Sequence, residues 1–299
     1  MKRLILAALT AAICLLSMTS CFGEELWNPH LRGIDDGCIS GALPPKGVYF
    51  VNNSYFGSLA GYNGAGKESA ERLDLYVDVP IVLYSPGYKV LHATYAMAIA
   101  QPFDYTSVYS RTAATVGNGH WGLYNTVVVP AILSWSQPHN IFLKAALATY
   151  LDDPSTSPAH PDKSGGAGSG NSYYTIEPNF AISYLKNGWN LSADLKYDHN
   201  ITDWATGYHS GDEFDGDYTA TKTNKQWTVG LVGYQTNQLY EDKLKGVTQS
   251  DSIHLTYGAG PTIGYNFGPL DVVATFNYNI STHNDFGGNT ANIRVIMPL

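Results

Sequence analysis

Charged side chains recur at every second position along several stretches of this 299-residue chain: Arg72, Asp74 and Asp78, then Asp194, Lys196 and Asp198, then Glu213, Asp215 and Asp217. Lys144, Glu177 and Arg294 fall in comparable settings, and acids outnumber bases in the whole set. Alternate residues of an extended backbone share a face, so each run projects its charges to one side. A wet lumen lined in this way disfavours anions and passes neutral or cationic solutes. The same groups could instead pair with one another and fill a narrow interior.

His209-Ser210-Gly211-Asp212 brings a base, a nucleophile and an acid together, the combination that acyl transfer requires. Neighbours on an extended chain point to opposite faces, so closeness in sequence does not make a triad. A polar loop at a strand entrance accounts for the run equally well, and no enzyme activity is expected. His92, His120, His199, His254 and His283 show no paired ligand spacing and no Cys pair joins them, so no metal or other cofactor is expected. The formal net charge of -8, without a Lys/Arg cluster or a phosphate-cradling glycine loop, argues against nucleic acid.

The elements that must hold these residues are strands. Ile253, Leu255, Tyr257, Ala259, Pro261, Ile263, Tyr265 and Phe267 alternate with Ser252, His254, Thr256, Gly258, Gly260, Thr262, Gly264 and Asn266. The first face suits lipid and the second a wet lumen. Charged residues make up 14% of the chain, against about 25% in ordinary soluble domains, while Tyr contributes 22 residues. A Lys or Arg facing lipid near the midplane costs about 2–4 kcal/mol, which directs the charged faces inward. On that rule Arg72, Asp74, Tyr76 and Asp78 look into the lumen, opposite Leu73, Leu75, Val77, Val79, Ile81 and Leu83. Tyr76, Tyr84, Tyr173 and Tyr234 share the lumen parity and could stack on an aromatic solute. Trp135, Trp189, Trp227, Tyr84, Tyr88, Tyr150, Tyr173 and Tyr240 fall near strand ends, as interfacial girdles require.

Met1-Lys2-Arg3 and the apolar run Leu4 to Leu16 read as a secretory signal over residues 1–23. Met18-Thr19-Ser20-Cys21 resembles a lipoprotein processing site, the alternative being ordinary cleavage near Gly23. Residues 24–46, rich in Gly and Pro, read as an extended tail or a small plug. No later apolar run is long enough for a spanning helix. Strands are expected near 47–56, 69–84, 88–101, 121–136, 140–151, 172–186, 189–200, 211–222, 226–240, 251–266, 270–281 and 289–299. Compact breaks at Ser85-Pro86-Gly87, Gln137-Pro138-His139, Asn187-Gly188, Asn224-Lys225 and Gly268-Pro269 alternate with longer polar segments. Those segments are Gly57 to Glu68, Phe103 to His120, Asp152 to Asn171, Ile201 to Ser210, Glu241 to Ser250 and His283 to Gly288. The pattern predicts an all-β chain, a transmembrane antiparallel up-and-down β-barrel of about twelve strands over 47–299. Outer-membrane barrels commonly end in an aromatic residue, and this chain ends in Leu299.

Several segments resemble the outer-membrane barrel family associated with the meta-pathway of phenol degradation, a set of porin-like transporters. They are Pro44-Pro45-Lys46-Gly47-Val48-Tyr49-Phe50, the run Pro130 to Trp135, Glu177-Pro178-Asn179-Phe180, Asn187-Gly188-Trp189-Asn190-Leu191-Ser192-Ala193, Ser210-Gly211-Asp212-Glu213-Phe214 and Val229-Gly230-Leu231-Val232-Gly233-Tyr234. The sequence departs at Gly122-Leu123-Tyr124-Asn125, where family members more usually carry a Gly-Asp pair. The resemblance implies a Gram-negative outer-membrane channel for small hydrophobic or aromatic solutes, with membrane lipid and the solute as partners and the oligomeric state open. Two other readings stand beside it: a closed barrel whose external loops act as an adhesin or receptor surface, and an outer-membrane hydrolase using Ser210. A secreted β-sandwich is the soluble alternative.

Overall fold

The computed structural model describes residues 27–110, 119–160 and 168–299; the signal segment and Cys21 lie outside the described residues. Twelve antiparallel strands close into a barrel. They are β1 (Gly47–Tyr62), β2 (Glu68–Ser85), β3 (Ala93–Ala100, resuming as Phe103–Ser110), β4 (His120–Leu123, resuming as Val127–Gln137), β5 (Ile141–Tyr150) and β6 (Thr175–Lys186). The second half comprises β7 (Trp189–Asn200), β8 (Glu213–Asn224), β9 (Trp227–Gln238), β10 (Leu255–Asn266), β11 (Asp271–His283) and β12 (Asp285–Pro298). Each strand pairs with its sequence neighbours, and β12 closes the cylinder on β1, with Asn53 opposite Arg294. Closure leaves no edge with unpaired backbone groups in lipid. The interruptions at Gln101-Pro102 and Tyr124–Thr126 face one another in β3 and β4, where Pro102 has no N–H to give the ladder.

The compact breaks are hairpin turns. Asn187 (φ 50°) and Gly188 (φ 79°) both take the left-handed backbone that a two-residue hairpin needs. A Cβ at Gly188 would stand 2.4 Å from the Thr223 carbonyl, so only Gly fits there. Three external segments are shorter than the sequence predicts, since β1 runs to Tyr62, β3 to Ser110, and β12 starts at Asp285. The ladder continues there after the apolar alternation stops, with Tyr62 paired to Asp285 and Glu71 to Ser110, because backbone pairing does not depend on that alternation. Conversely, 172–174, 211–212 and 251–254 lie outside the strands.

Most strands put the apolar parity outside: Leu231 is 66% exposed, Ile263 48% and Ile280 67%, while Thr219, Thr236, Thr256 and Thr275 on the other parity are buried. The wall at β2 is the reverse. Tyr55, Val77, Val79 and Ala100 form an interior cluster with Leu31 and Ile34 packed on it, and Leu59, Leu73 and Phe286 form another against Trp27. The lumen assignment of Arg72, Asp74 and Asp78 is therefore corrected. Asp78 accepts from Asn52 Nδ2 (2.7 Å) and Ser54 Oγ (2.8 Å) on the outer face, and Asp74 from Ser58 Oγ (2.6 Å). Arg72 shares their parity and binds Glu68 and the Ser69 and Glu71 carbonyls. The parity rule fails because the interior here is not wet: apolar residues of the N-terminal segment cover it, so burial against them outweighs lipid contact.

Tyr76 is outside as well, against Phe56 and Trp121, and Tyr84 is exposed, whereas Tyr234 lies inside. Trp189, Trp227, Tyr88 and Tyr240 project outward near strand ends as girdle residues do, but Tyr150 and Tyr173 are buried.

On the long-loop side, Tyr208–His209, Lys243–Leu244 and Val247–Thr248 form a small separate sheet. Asp242 anchors it, accepting from Tyr208 Oη (2.6 Å), Gln238 Nε2 (2.6 Å) and the Gly211 amide (2.8 Å). Burial pushes the Asp242 carboxyl up to about 6, against the pull of those donors. A raised carboxyl contributes stability below its unfolded value, and that contribution is lost as pH rises through about 6. The melting temperature of wild type relative to Asp242→Asn is therefore expected to fall between pH 5 and pH 8; a constant difference would contradict the assignment.

Candidate functional site

Strand alternation and register build the interior polar cluster. In β7, Asp194, Lys196 and Asp198 point inward, and their cross-strand neighbours in β8 are Asp217, Asp215 and Glu213. Lys196 Nζ, almost wholly buried, lies 2.9 Å from Asp217 Oδ2, 3.1 Å from Asp35 Oδ2 and 4.0 Å from Asp194 Oδ2. Lys144 of β5 reaches Asp194 Oδ2 at 3.0 Å, and Asn179 of β6 donates to Oδ1 of the same carboxylate. His30 lies between Asp217 (3.2 Å) and Glu177 (3.5 Å), and Tyr150 Oη donates to Glu177 at 2.9 Å. Of the residues expected in the lumen, Lys144, Glu177, Asp194, Lys196, Glu213, Asp217 and Arg294 face the interior, while Arg72, Asp74 and Asp78 do not.

What these charges hold is the N-terminal segment. The Gly33 amide donates to Asp217 Oδ1 (3.0 Å), Gly37 to Thr219 Oγ1 (2.8 Å) and Gly41 to Ser183 Oγ (2.7 Å). Ser134 returns a hydrogen bond to the Gly41 carbonyl (2.8 Å), and Asn190 one to that of Cys38 (2.9 Å). Arg294 donates to the carbonyls of Ile34 and Asp36 and to Asn53 Oδ1, while Asn277 donates to Asp36. The segment thus runs down the lumen from Trp27, which meets Asn171 and the Gly168 carbonyl of an external loop, to β1 at the opposite rim. The bonds to Asp217 and Asp36 and those from Arg294 are charge-assisted and stronger than the neutral ones at Thr219, Ser183, Ser134 and Asn190.

Sequence reasoning missed His30, Asp35 and Asp36, because a segment without strand or helix periodicity carries no facing signal. One signal was present: Gly33, Gly37 and Gly41 recur every fourth residue. Gly33 and Gly37 have φ of 69° and 80°, and a Cβ at Gly41 would stand 2.5 Å from the Phe142 carbonyl and 2.7 Å from the Ser183 amide. Gly41→Ala is expected to break both hydrogen bonds at that point. Two bonds at roughly 1 kcal/mol each raise the detached population about 30-fold, read as faster protease release of the segment from an otherwise intact barrel. An unchanged cleavage rate would contradict the close approach.

Beside the segment lies a cavity of about 930 Å³. One wall is aliphatic, with Val79, Ile81, Ala98, Val127, Ile132 and Ala146; the other is polar, with Lys144, Asn179, Asp194, Lys196 and Arg294. It reaches the short-turn rim at Lys225, Pro269 and Pro298, and a smaller cavity of about 120 Å³ sits near Trp27, Tyr124 and Phe286. The candidate hydrolytic residues are engaged elsewhere. Asp212 accepts from Tyr197 Oη and lies 3.1 Å from His199 Nδ1, while His209 Nδ1 is 3.1 Å from Thr202 Oγ1.

A closed cylinder with apolar residues outside and a buried polar cluster inside is an outer-membrane β-barrel. Residues 57–295 match the family described as "Putative MetA-pathway of phenol degradation", and the chain belongs to it. Among solved structures the barrel is similar to the COG4313 outer membrane channel from Pseudomonas putida F1, with TM-score 0.74 at 13% identity over 87% of this chain and 98% of that one. It also resembles the translocator domain of the autotransporter NalP from Neisseria meningitidis, with TM-score 0.52 at 10% identity over 87% of this chain and 91% of that one. No curated protein sequence matches the chain.

Proposed function

We propose that the protein is an outer-membrane channel for small solutes, with hydrophobic or aromatic molecules as favoured cargo. The observation that carries this reading is the cavity of about 930 Å³, aliphatic on one wall and charged on the other. An apolar ring packs on the β2–β5 side while its hydroxyl meets Lys144, Asp194 or Arg294, the mixed lining that amphipathic ligands need. Glu177 also lines the cavity, while Glu213 and Asp217 act behind that surface, holding the N-terminal segment. The family's association with phenol degradation and the channel among the similar structures support the reading. The N-terminal segment narrows the route and sets its width.

Liposome swelling tests it. Vesicles carrying the barrel are expected to admit phenyl glucoside faster than the smaller methyl glucoside, which has no aromatic ring to lay on the aliphatic wall. Equal rates would remove the aromatic preference. Exclusion of both would overturn the channel and favour a closed barrel that works through its external loops.

A further inference from the structure

Basic side chains gather at the short-turn end of a chain whose net charge is -8. Lys46, Lys89, Lys186, Lys222 and Lys225 lie in the short turns or in the strand ends that meet them, and Asp271 is the sole acidic side chain placed with them. Two of these lysines belong to the wall itself. Trp189 of β7 stands directly opposite Lys186 of β6 on one side and directly opposite Lys222 of β8 on the other, so the three form one row across three strands. The row faces outward: Trp189 is exposed, Lys186 continues the outward parity of Phe180 and Ile182, and Ser183, Asn190 and Thr221 on the other parity are buried.

No carboxylate of the protein neutralises this row. Lys222 Nζ lies 5.2 Å from the centre of the Trp189 ring and donates to the Asn187 carbonyl. Among the described residues neither Lys186 nor Lys222 makes an ion pair, and no acid occurs from Pro178 to Ala193 or from Tyr218 to Tyr240. Adjacent strands are about 4.8 Å apart, so the two lysines leave the wall roughly 10 Å apart with the indole between them. Both ammonium groups can therefore meet one phosphate. Toward the membrane midplane the same outer face continues as Phe180, Ile182, Leu191, Val229 and Leu231, all apolar and exposed. Two cations at the end of an apolar strip complement an anionic headgroup at the end of acyl chains.

We propose that Lys186, Trp189 and Lys222 form a binding site for the phosphate of an anionic phospholipid in the inner leaflet of the outer membrane. The short turns of such barrels face the periplasm, which places the row at the headgroup level of the phospholipid leaflet. An indole at that depth bridges acyl chain and headgroup, and the lysine stems run along the apolar wall to deliver their charge at its edge. A zwitterionic lipid brings its own cation and gains less from two lysines. A lipid held here fixes the depth of β6, β7 and β8 in the membrane, whether or not the lumen conducts. The girdle pattern in the sequence marks Trp189 alone, because its two lysines come from neighbouring strands and only the register sets them on either side of the ring.

The test mixes full-length barrel in a neutral detergent with equal amounts of phosphatidylglycerol and phosphatidylcholine of the same acyl chains, and counts the retained lipid by native mass spectrometry. Wild type is expected to keep phosphatidylglycerol with a preference of roughly 10-fold, the combined contribution of two lysines at headgroup level. The double variant Lys186→Gln, Lys222→Gln keeps most of each stem and is expected to lose the preference, with folding followed by heat-modifiable gel mobility. Lys89→Gln, at the same rim but outside the row, is expected to retain it. Equal retention of the two lipids by wild type, or an unaltered preference in the double variant, overturns the proposal. A loss in K89Q as large as in the double variant overturns it too, since diffuse rim charge would then be the attraction, and displacement of the lipid by millimolar inorganic phosphate would make the free ion the ligand instead. Should the double variant not fold, K186Q alone decides: a reduced preference supports the site and an unchanged one overturns it.

Discussion

Lys196→Met is expected to destabilise the barrel by about 3–5 kcal/mol, the cost of leaving a buried charge network without its central cation. Lys196 Nζ contacts Asp217 and Asp35 at 2.9 and 3.1 Å and sees Asp194 at 4.0 Å; Lys196, Asp217 and Asp194 are almost wholly buried, while the Asp35 side chain is 36% exposed. Met has similar length and apolar volume, so packing is preserved and the lost charge dominates. Lys144→Met is the internal control: Lys144 is more exposed, and Asp194 keeps its Asn179 donor and its proximity to Lys196. Urea unfolding in lipid vesicles should rank wild type above K144M and K144M above K196M. A K196M barrel within about 1 kcal/mol of wild type would show that the interior acids are not held by this lysine.

Deleting residues 27–42 is expected to raise single-channel conductance several-fold in planar bilayers. The segment crosses the lumen and is fastened by Asp217, Thr219, Ser183, Ser134 and Arg294, so its removal joins the cavity beside it to the space it fills. The deletion also strips Arg294 of its two carbonyl acceptors and leaves its guanidinium facing the widened route. Unchanged current in a folded deletion variant would mean that conduction does not pass this segment.

The barrel itself was legible because a closed membrane sheet imposes period-2 alternation and an alternation of short and long connections, and both are local properties of sequence. Asn187-Gly188 and Gly268-Pro269 mark their turns by backbone chemistry alone. Legibility failed where one residue's environment is set by a distant segment. The β2 run from Leu73 to Leu83 has the alternation of a lipid-facing strand, yet its aliphatic face is inside because Leu31, Ile34 and Trp27 cover it. Asp74 and Asp78 consequently stand on the outer face with Ser and Asn partners from β1, an arrangement that parity read strand by strand assigns to the wrong side.

The interior cluster shows the same division. Asp194, Lys196 and Asp217 were readable as inward because β7 and β8 alternate cleanly. Their partners His30 and Asp35 were not, nor was Asp36 beside Asn277 and Arg294, since residues 27–46 have no strand or helix period and their positions follow from hydrogen bonds to the wall. Tyr150 and Glu177 illustrate the intermediate case: each is near a strand end, and only cross-strand pairing of β5 with β6 shows that the phenol donates to the carboxylate inside the barrel.

Cross-linking reports whether residues 27–46 lie within the barrel against its inner wall. Asn190 Nδ2 donates to the Cys38 carbonyl at 2.9 Å. In membrane-embedded protein carrying Asn190→Cys, a short bis-maleimide is expected to join residue 190 to the native Cys38, giving one linked peptide pair by mass spectrometry. A folded N190C barrel in which both thiols react singly and no such pair forms would contradict the account.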